Sequence, residues 1–407
     1  MSNFNGKRVV WGMKKRIYRT QQYMLSKLQP LIPWPMPKLI SGAGSLYKLP
    51  RQIKHDGLNK VLVMTTSGFI KRGSLGQFFD ALEAEHVTYT IFDRVEPDPS
   101  IESVEAAMQR YKEERCEGII AIGGGSVLDC AKVVGARIVK PKQSVIQMTG
   151  LFKIRKKLPP LYAVPTTAGT GSEVTVAAVI TDRRTHYKYP ISDTCLVPMH
   201  AVLDPEMTRG LPQGLTAATG MDALTHAVEA YINKFSSSES KKHAREAVKI
   251  IFTNLKRVYD NGDDINAREQ MLIGSYYAGL SFTKSYVGYV HALSHGIGGL
   301  YGVPHGYANA VILPVVLKAY GKAAHKELAE LAETIGLPGI TRQDKAKNLI
   351  RAIEQLNHHM GIPLRLNVVK KKDIPELINR AIKEANPTYP VPEIWGEKQF
   401  LKVIDAL

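Results

Sequence analysis

Side chains able to bind a metal lie in two short segments of the C-terminal half, at Asp222, His226, His291 and His305. Asp222 and His226 are four residues apart in an apolar run typical of a helix, so their side chains project from one face, about 5–6 Å apart at Cβ. His291 and His295 form a second pair of the same spacing. One carboxylate and several imidazoles without a thiolate suit Fe, Zn, Ni, Co or Mn.

A histidine on an apolar helix is more often a hydrogen-bonded core residue than a metal ligand. Two pairs with helical spacing, followed by His305 after a glycine-rich stretch, favour a shared ion instead. One of the five possible donors is then spare; they are Asp222, His226, His291, His295 and His305. A spare histidine beside an open metal position is what a catalytic site needs.

Two glycine-rich loops in the N-terminal half have the composition of a phosphate site. The first, in residues 118–132, places Gly-Gly-Gly-Ser between a strand-like run and a helical pattern. Glycines let the backbone approach a phosphate, and N–H groups at a helix start favour an anion. The second, residues 165–175, is rich in Thr, Ser and Gly and can hydrogen-bond a diphosphate or ribose. Each loop could also be a tight turn satisfying its own backbone; together, before a metal cluster, they indicate a dinucleotide plus a metal.

The elements that must position these residues change character at Asp204–Pro205. Upstream, short β-branched runs alternate with helical patterns, which predicts a parallel sheet with helices on its faces. The predicted strands are 60–66, 87–93, 118–123, 160–165, 176–182 and 201–203, and the predicted helices 75–85, 102–115 and 127–138. Downstream, long patterns such as 242–260, 266–282 and 323–335 predict helices alone. The expected organisation is a basic arm (1–36), an α/β domain (37–204) and an all-helical domain (205–407).

These motifs resemble, in order and spacing, those of the iron-containing alcohol dehydrogenase family, from about Pro37 to the C-terminus. The resemblance implies a Rossmann-like NAD(P)-binding α/β domain followed by an all-α metal-binding domain, a plan shared with dehydroquinate synthase. It implies a divalent ion, typically Fe²⁺ with Zn²⁺ also possible, on Asp222, His226, His291 and His305, and a catalytic His295 beside the nicotinamide and substrate. It also implies cofactor contacts at Asp98, Gly124, Gly125, Ser126, Asp129, Thr166, Thr167, Thr170 and Lys188.

The strand expected to end beside the adenosine ribose carries no acidic residue. It ends in Thr66 and Ser67, with Lys71 and Arg72 nearby. Enzymes that prefer NAD often have an acidic residue there, which binds the ribose 2′-hydroxyl and repels a 2′-phosphate. We therefore expect Thr66 to contact the cofactor and NADP to be accepted, with a slight preference over NAD. The two basic residues could equally be a solvated helix start.

The activity that the resemblance implies is metal-dependent, NAD(P)-linked oxidation of a small to medium alcohol or reduction of the aldehyde. Hydride would pass between nicotinamide C4 and a substrate carbon whose oxygen is polarised by the ion. Side chains such as Phe282, Tyr286 and Tyr289 are expected around the pocket. Two alternatives stay open: a zinc-dependent enzyme of the glycerol dehydrogenase or dehydroquinate synthase type, and a non-catalytic anion-binding protein.

The composition is that of an ordinary globular enzyme with an unusual charge. The 407 residues are 44% hydrophobic and include 54 basic and 37 acidic residues, for a net charge of +17. The basic residues are dispersed, which indicates a solvated surface rather than a nucleic-acid site. Three cysteines without paired spacing, no long apolar run and no signal-peptide pattern predict a cytoplasmic protein without a transmembrane segment. A homo-oligomer, dimeric or larger, is expected by analogy.

The N-terminal arm has the densest positive charge and lies outside the family resemblance. Its basic residues are interleaved with apolar ones: Lys7, Arg8, Lys14, Lys15, Arg16, Arg19 and Lys27. The arm could be an amphipathic helix on an acidic partner or an anionic membrane surface. It could equally pack against the body of the protein or a second subunit. The proline-rich connector after it, residues 28–37, favours packing.

Overall fold

The computed structural model describes residues 2–185 and 187–407, and side chains from residue 11 onward, so the side chains of Lys7 and Arg8 lie outside the described ones. The chain divides into two units. We call them the sheet unit (residues 34–216 and 260–279) and the helical unit (residues up to Pro33, 217–259 and 280–407). The boundary at Asp204–Pro205 stays our proposal for the chain, although residues 205–216 and 260–279 belong to the sheet unit.

The sheet unit is organised around a parallel sheet. The strands in the described chain are β1 (Lys38–Ser41), β2 (Lys60–Met64), β3 (Thr88–Phe92), β4 (Gly118–Gly123), β5 (Gly150–Leu151), β6 (Leu161–Pro165), β7 (Ala177–Asp182), β8 (Tyr187–Ser192) and β9 (His200–Leu203). The main sheet has the order β1-β9-β6-β4-β2-β3, and all its paired strands are parallel. A smaller sheet has the order β5-β8-β7. This confirms the predicted parallel sheet.

The central strands are almost continuously apolar because both of their faces are covered. In β2, Leu62 and Met64 belong to one hydrophobic core. Val61 and Val63 belong to a second core on the opposite face, as the two-residue repeat of a strand requires. The helices of this unit are α2 (Leu49–His55), α3 (Ser67–Lys71), α4 (Gly76–Ala84), α5 (Ile101–Glu113) and α6 (Gly125–Val139). The sheet therefore has the two-sided core of an α/β domain.

The C-terminal half contains the long helices that were predicted for it. They are α7 (Gln213–Ile232), α8 (Ser238–Asp260), α9 (Ile265–Ser285), α10 (Tyr289–Tyr301), α11 (His305–Tyr320), α12 (His325–Thr334), α13 (Arg342–His359), α14 (Ile374–Ala385) and α15 (Glu397–Ile404). The first residues of α7 and most of α9 belong to the sheet unit. The core includes packed aromatic rings: the centroids of Tyr289 and Tyr320 lie 4.7 and 4.6 Å from that of Trp395. Over residues 2–185 and 187–407, no helix is both long and apolar enough to cross a membrane.

The basic arm forms helix α1 (Ser2–Leu28), which packs on the helical unit. Gln22 is 2% exposed, and its amide nitrogen donates to the backbone oxygens of Asn386 and Tyr389, each at 2.8 Å. Arg19 donates to the backbone oxygen of Val391 at 2.9 Å. These contacts confirm that the arm packs against the body of the protein.

Candidate metal centre

The predicted metal donors converge in the helical unit. Helix α7 carries Asp222 and His226 on one face, α10 carries His291 in its first turn, and α11 begins at His305. One ligand atom each of Asp222, His226 and His291 lies within 4.8 Å of the others, and all three residues are buried. His305 Nε2 lies 3.5 Å from Asp222 Oδ1. The structure thus brings together the four residues that the resemblance implies as ligands.

Close approach of two helices makes this convergence possible. Gly306 follows His305, and a Cβ added to it would lie 2.3 Å from the backbone oxygen of Ala218 on α7. Any other residue type would push α11 away from α7. The glycine therefore helps to hold His305 beside Asp222.

Hydrogen bonds to Nδ1 fix the orientation of two imidazoles. His291 Nδ1 lies 2.6 Å from the carboxylate of Glu229, which also accepts from the backbone N–H groups of Gly288 and Val290 at 2.8 and 2.7 Å. His305 Nδ1 lies 2.9 Å from the hydroxyl of Ser294. Since each Nδ1 is engaged, each Nε2 faces Asp222, as a metal ligand requires.

Burial lowers the pKa of His291 well below its usual value, because desolvation disfavours the charged ring. A neutral His291 is the form that can donate a lone pair to a cation.

Asn309 lies among the donor atoms, one helical turn after His305. Its Nδ2 is 2.7 Å from Asp222 Oδ1, 3.3 Å from His291 Nε2 and 3.1 Å from His305 Nε2. The residue is completely buried. Its amide therefore holds one oxygen of Asp222 at the point where the histidines converge.

The donor set fits a divalent cation. Asp222 is 3% exposed, and its ion pairs within the described residues are with histidines alone, which are neutral over much of the physiological range. A buried carboxylate without a permanent positive partner is costly. One carboxylate and three imidazole nitrogens are also ligands that Fe²⁺ and Zn²⁺ accept.

His295 lies beside this cluster with its own carboxylate partner. Its Nδ1 is 2.8 Å from Glu384, which also accepts a hydrogen bond from the Tyr389 hydroxyl at 3.0 Å. The ring of His295 stacks on that of His305 with 5.2 Å between ring centroids, and the His295 side chain is 31% exposed. His295 can therefore exchange protons with solvent while Glu384 fixes its orientation.

The aromatic residues expected around a substrate pocket differ in position. Phe282 stacks on His226 with 4.3 Å between ring centroids, so it borders the donor cluster. Tyr289 is completely buried, and its hydroxyl donates to Oδ1 of Asn386 at 2.5 Å and accepts from the backbone N–H of Trp395 at 2.8 Å. The prediction that Tyr289 lines an open pocket is therefore wrong, because its hydroxyl is satisfied inside the core.

The two predicted phosphate loops adjoin at the carboxyl ends of β4 and β6. These strands are paired up to Gly123 and Pro165, so the loops that follow start side by side. A Cβ added to Gly125 would lie 2.5 Å from Cγ2 of Thr170, and one added to Gly124 would lie 3.3 Å from Oγ1 of Thr167. The glycines thus allow the hydroxyl-rich loop to pack directly on the start of α6.

The remaining predicted cofactor residues lie at the same edge of the sheet unit. The backbone N–H of Asp98 lies 3.3 Å from the Ser126 hydroxyl, and Lys188 forms an ion pair with Asp98 at 2.7 Å. Thr66 precedes α3 at the end of β2. Thr166 is buried, and its backbone N–H donates to the backbone oxygen of Gly123 at 3.0 Å.

Asp129 has a mainly internal set of partners. One carboxylate oxygen accepts from the Ser172 hydroxyl at 2.6 Å and the other from the Val179 N–H at 2.8 Å. Asp129 thereby ties α6 to the hydroxyl-rich loop and to β7. Its contact with the cofactor stays a prediction.

Four residues around the centre were missed from the sequence: Glu229, Ser294, Asn309 and Glu384. Helical spacing could have indicated two of them, since Glu229 lies three residues after His226 and Asn309 four after His305. Glu384 is 89 residues from His295, and no local pattern connects them.

Known proteins resemble this chain over most of its length. Residues 36–205 match the family model described as iron-containing alcohol dehydrogenase, and residues 216–407 match the C-terminal model of the same family. The 1,3-propanediol dehydrogenase of Klebsiella pneumoniae is 37% identical over 386 residues, which cover 93% of this chain and 98% of that protein. Alcohol dehydrogenase 4 of Schizosaccharomyces pombe is 36% identical over 375 residues, covering 90% and 87%.

Solved structures agree with this assignment. A 1,3-propanediol oxidoreductase superposes with a TM-score of 0.87 at 35% identity, covering 92% of this chain and 98% of that one. An alcohol dehydrogenase from Oenococcus oeni gives a TM-score of 0.88 at 32% identity, covering 92% and 100%. The resemblance seen in the motifs is confirmed, and the chain belongs to the iron-containing alcohol dehydrogenase family.

Proposed function

We propose that this protein is a metal-dependent, NAD(P)-linked alcohol dehydrogenase that interconverts a small to medium alcohol and its aldehyde. The observation that carries the proposal is the convergence of Asp222, His226, His291 and His305 in a chain of this family. Relatives are named for 1,3-propanediol, for lactaldehyde in Escherichia coli and for methanol in Bacillus methanolicus. We infer a substrate of similar size.

The four donors would hold the ion, Fe²⁺ or Zn²⁺. When bound, such an ion supplies Lewis-acid chemistry at a substrate oxygen. Glu229 and Ser294 keep the nitrogens of His291 and His305 directed toward Asp222. Phe282 covers the His226 ring and excludes water from that side.

His295 is the proposed proton carrier. Glu384 holds its Nδ1, so the ring has a fixed direction, and its partial exposure connects it with solvent. A histidine in this setting can take up or release the proton that accompanies hydride transfer. Replacing it should leave the metal in place and lower the rate.

The adjoining loops of the sheet unit are the proposed cofactor site. The start of α6 presents backbone N–H groups suited to a diphosphate, and Thr167 and Thr170 add hydroxyls beside it. Thr66 and the Asp98–Lys188 pair would flank the ribose moieties. Because no carboxylate stands at the end of β2, we propose that both NADP and NAD are accepted. The methanol dehydrogenase relative is named as NAD-dependent.

An activity measurement tests this proposal. Protein purified without oxygen is stripped with a chelator, reloaded with Fe²⁺ or Zn²⁺, and assayed for NADH and NADPH oxidation with propanal, lactaldehyde and 3-hydroxypropanal. We expect aldehyde-dependent oxidation that is lost on stripping and in His226→Ala. His358→Ala, which removes an exposed histidine of the same unit, is the matched control and should stay active.

Three results would contradict the proposal or redirect it. Full activity of metal-free His226→Ala would remove the metal from the scheme. No oxidation or reduction with any aldehyde or alcohol would favour the anion-binding alternative. Turnover confined to glycerol with zinc would favour the glycerol-type enzyme. A homo-oligomeric state and a cytoplasmic location stay predictions from the sequence.

A further inference from the structure

Helix α1 carries an apolar stripe on the face turned away from the helical unit. Met13, Ile17, Met24 and Leu28 are 53%, 62%, 55% and 52% exposed. Their spacing of four, seven and four residues places them on one line along a helix of 3.6 residues per turn. Gln22, which is buried against the helical unit, lies on the opposite side. The stripe is therefore a second face of a helix whose first face is already packed.

Basic residues flank this stripe on both sides. At about 100° per residue, Lys14 lies on one side of the line, and Arg16 and Lys27 lie on the other. All three are exposed. From residue 2 to residue 28 the sequence contains seven basic and no acidic residues. An apolar centre with basic flanks is the layout of a helix that lies in a lipid–water interface.

A basic groove runs along one side of the same helix. It has a volume of about 330 Å³ and is lined by Lys15, Arg16, Arg19 and Lys234, together with residues 392–394. One acidic side chain, Glu393, faces these four cations. Lys15 and Arg19 lie on the side of α1 that carries Gln22, so the groove adds to the positive charge around the helix and does not line the stripe itself.

We propose that this face of α1 binds an anionic lipid surface and anchors the enzyme peripherally. The stripe would enter the boundary between headgroups and acyl chains, while the flanking cations contact lipid phosphates and carboxylates. A second copy of this chain fits less well. A symmetric contact through α1 would set two helices, each with seven basic and no acidic residues, against each other. The proposal is independent of the reaction catalysed.

Vesicle sedimentation with the full chain tests this binding. Vesicles of phosphatidylcholine alone are compared with vesicles that also contain phosphatidylserine, at low and high salt. We expect binding to the anionic vesicles only, with loss at high salt. The double variant Ile17→Ser/Met24→Ser should partition at least about tenfold more weakly, since two apolar side chains no longer enter the interface. Lys14→Gln/Lys27→Gln should weaken binding while the stripe remains.

The matched control is Ile340→Ser, which removes a 98% exposed apolar residue elsewhere in the helical unit and should bind like the unchanged protein. Thermal unfolding of each variant checks that the fold is kept. Equal binding to neutral and anionic vesicles, or no binding to either, would overturn the proposal. So would a stripe variant that changes the oligomeric state, measured by light scattering, and leaves vesicle binding intact.

Discussion

Replacing Glu229 by glutamine should weaken metal binding without removing any of the four donors. The carboxylate accepts three hydrogen bonds: one oxygen from the Val290 N–H, the other from the Gly288 N–H and from His291 Nδ1. Glutamine is similar in volume but has one acceptor oxygen. In either orientation its NH₂ group faces at least one buried donor, and it cannot carry the negative charge that favours a protonated Nδ1 on His291.

The magnitude follows from these contacts. One buried N–H left without an acceptor costs about 1–3 kcal/mol of folding free energy. Loss of an outer partner of a metal-binding histidine typically lowers metal affinity about 10- to 100-fold, which corresponds to about 1.4–2.8 kcal/mol. We therefore expect Glu229→Gln to bind Zn²⁺ about 10- to 100-fold more weakly and to unfold at lower denaturant concentration.

Calorimetric titration of the metal-free protein with Zn²⁺ measures the first effect, and urea unfolding measures the second. Glu239→Gln is the matched control: it changes the same residue type in the same unit, at a carboxylate whose side chain is 54% exposed and pairs with Lys284. Such a surface ion pair contributes about 1 kcal/mol or less to the free energy of unfolding. Equal metal affinity of Glu229→Gln and this control would refute the orienting role of Glu229.

Other parts of the structure give three further predictions. Asn309→Leu removes the donor to Asp222, a proposed metal ligand, and should lower Zn²⁺ affinity about tenfold by calorimetry; unchanged affinity would contradict this. Burial raises the pKa of Glu173 to about 7, so the folded state favours the protonated side chain. The stabilisation from this preference is complete below the pKa of Glu173 in the unfolded chain and is lost as the pH rises through 7. The free energy of unfolding measured with urea should therefore rise for Glu173→Gln relative to the unchanged protein, by up to about 3 kcal/mol between pH 4.5 and 8. Parallel pH profiles of the two proteins would count against this prediction. Gly125→Ala should raise the Kd for NADPH about tenfold or more in a fluorescence titration, since its Cβ would overlap Thr170, while Gly76→Ala, with open space around it, should not.

The main sheet was largely predictable because its central strands are short apolar runs bounded by loops. The predicted strands 60–66, 118–123 and 160–165 correspond to β2, β4 and β6. Strands β1, β5 and β8 were not predicted. Residues 38–41 are too short to show a pattern, and β8 contains Pro190, which disfavours a strand assignment.

The site was predictable only where its geometry is local. Helical spacing placed Asp222 beside His226, and glycine-rich turns marked both loops. Contacts that tertiary packing creates, such as Glu384 with His295 or Glu229 with His291, left no signal of pairing in the sequence. For Tyr289, proximity in sequence to the donors suggested a place in the pocket that the structure does not show. An amphipathic side chain near the donors can point into the core instead.

Anomalous X-ray scattering at the iron edge, from crystals grown without oxygen in the presence of Fe²⁺, tests the central claim most directly. We expect one peak per chain, about 2.0–2.3 Å from a carboxylate oxygen of Asp222 and one nitrogen each of His226, His291 and His305. His295 should lie outside that distance. A peak elsewhere in the chain, or none under conditions in which the crystals reduce an aldehyde with NADPH, would contradict it.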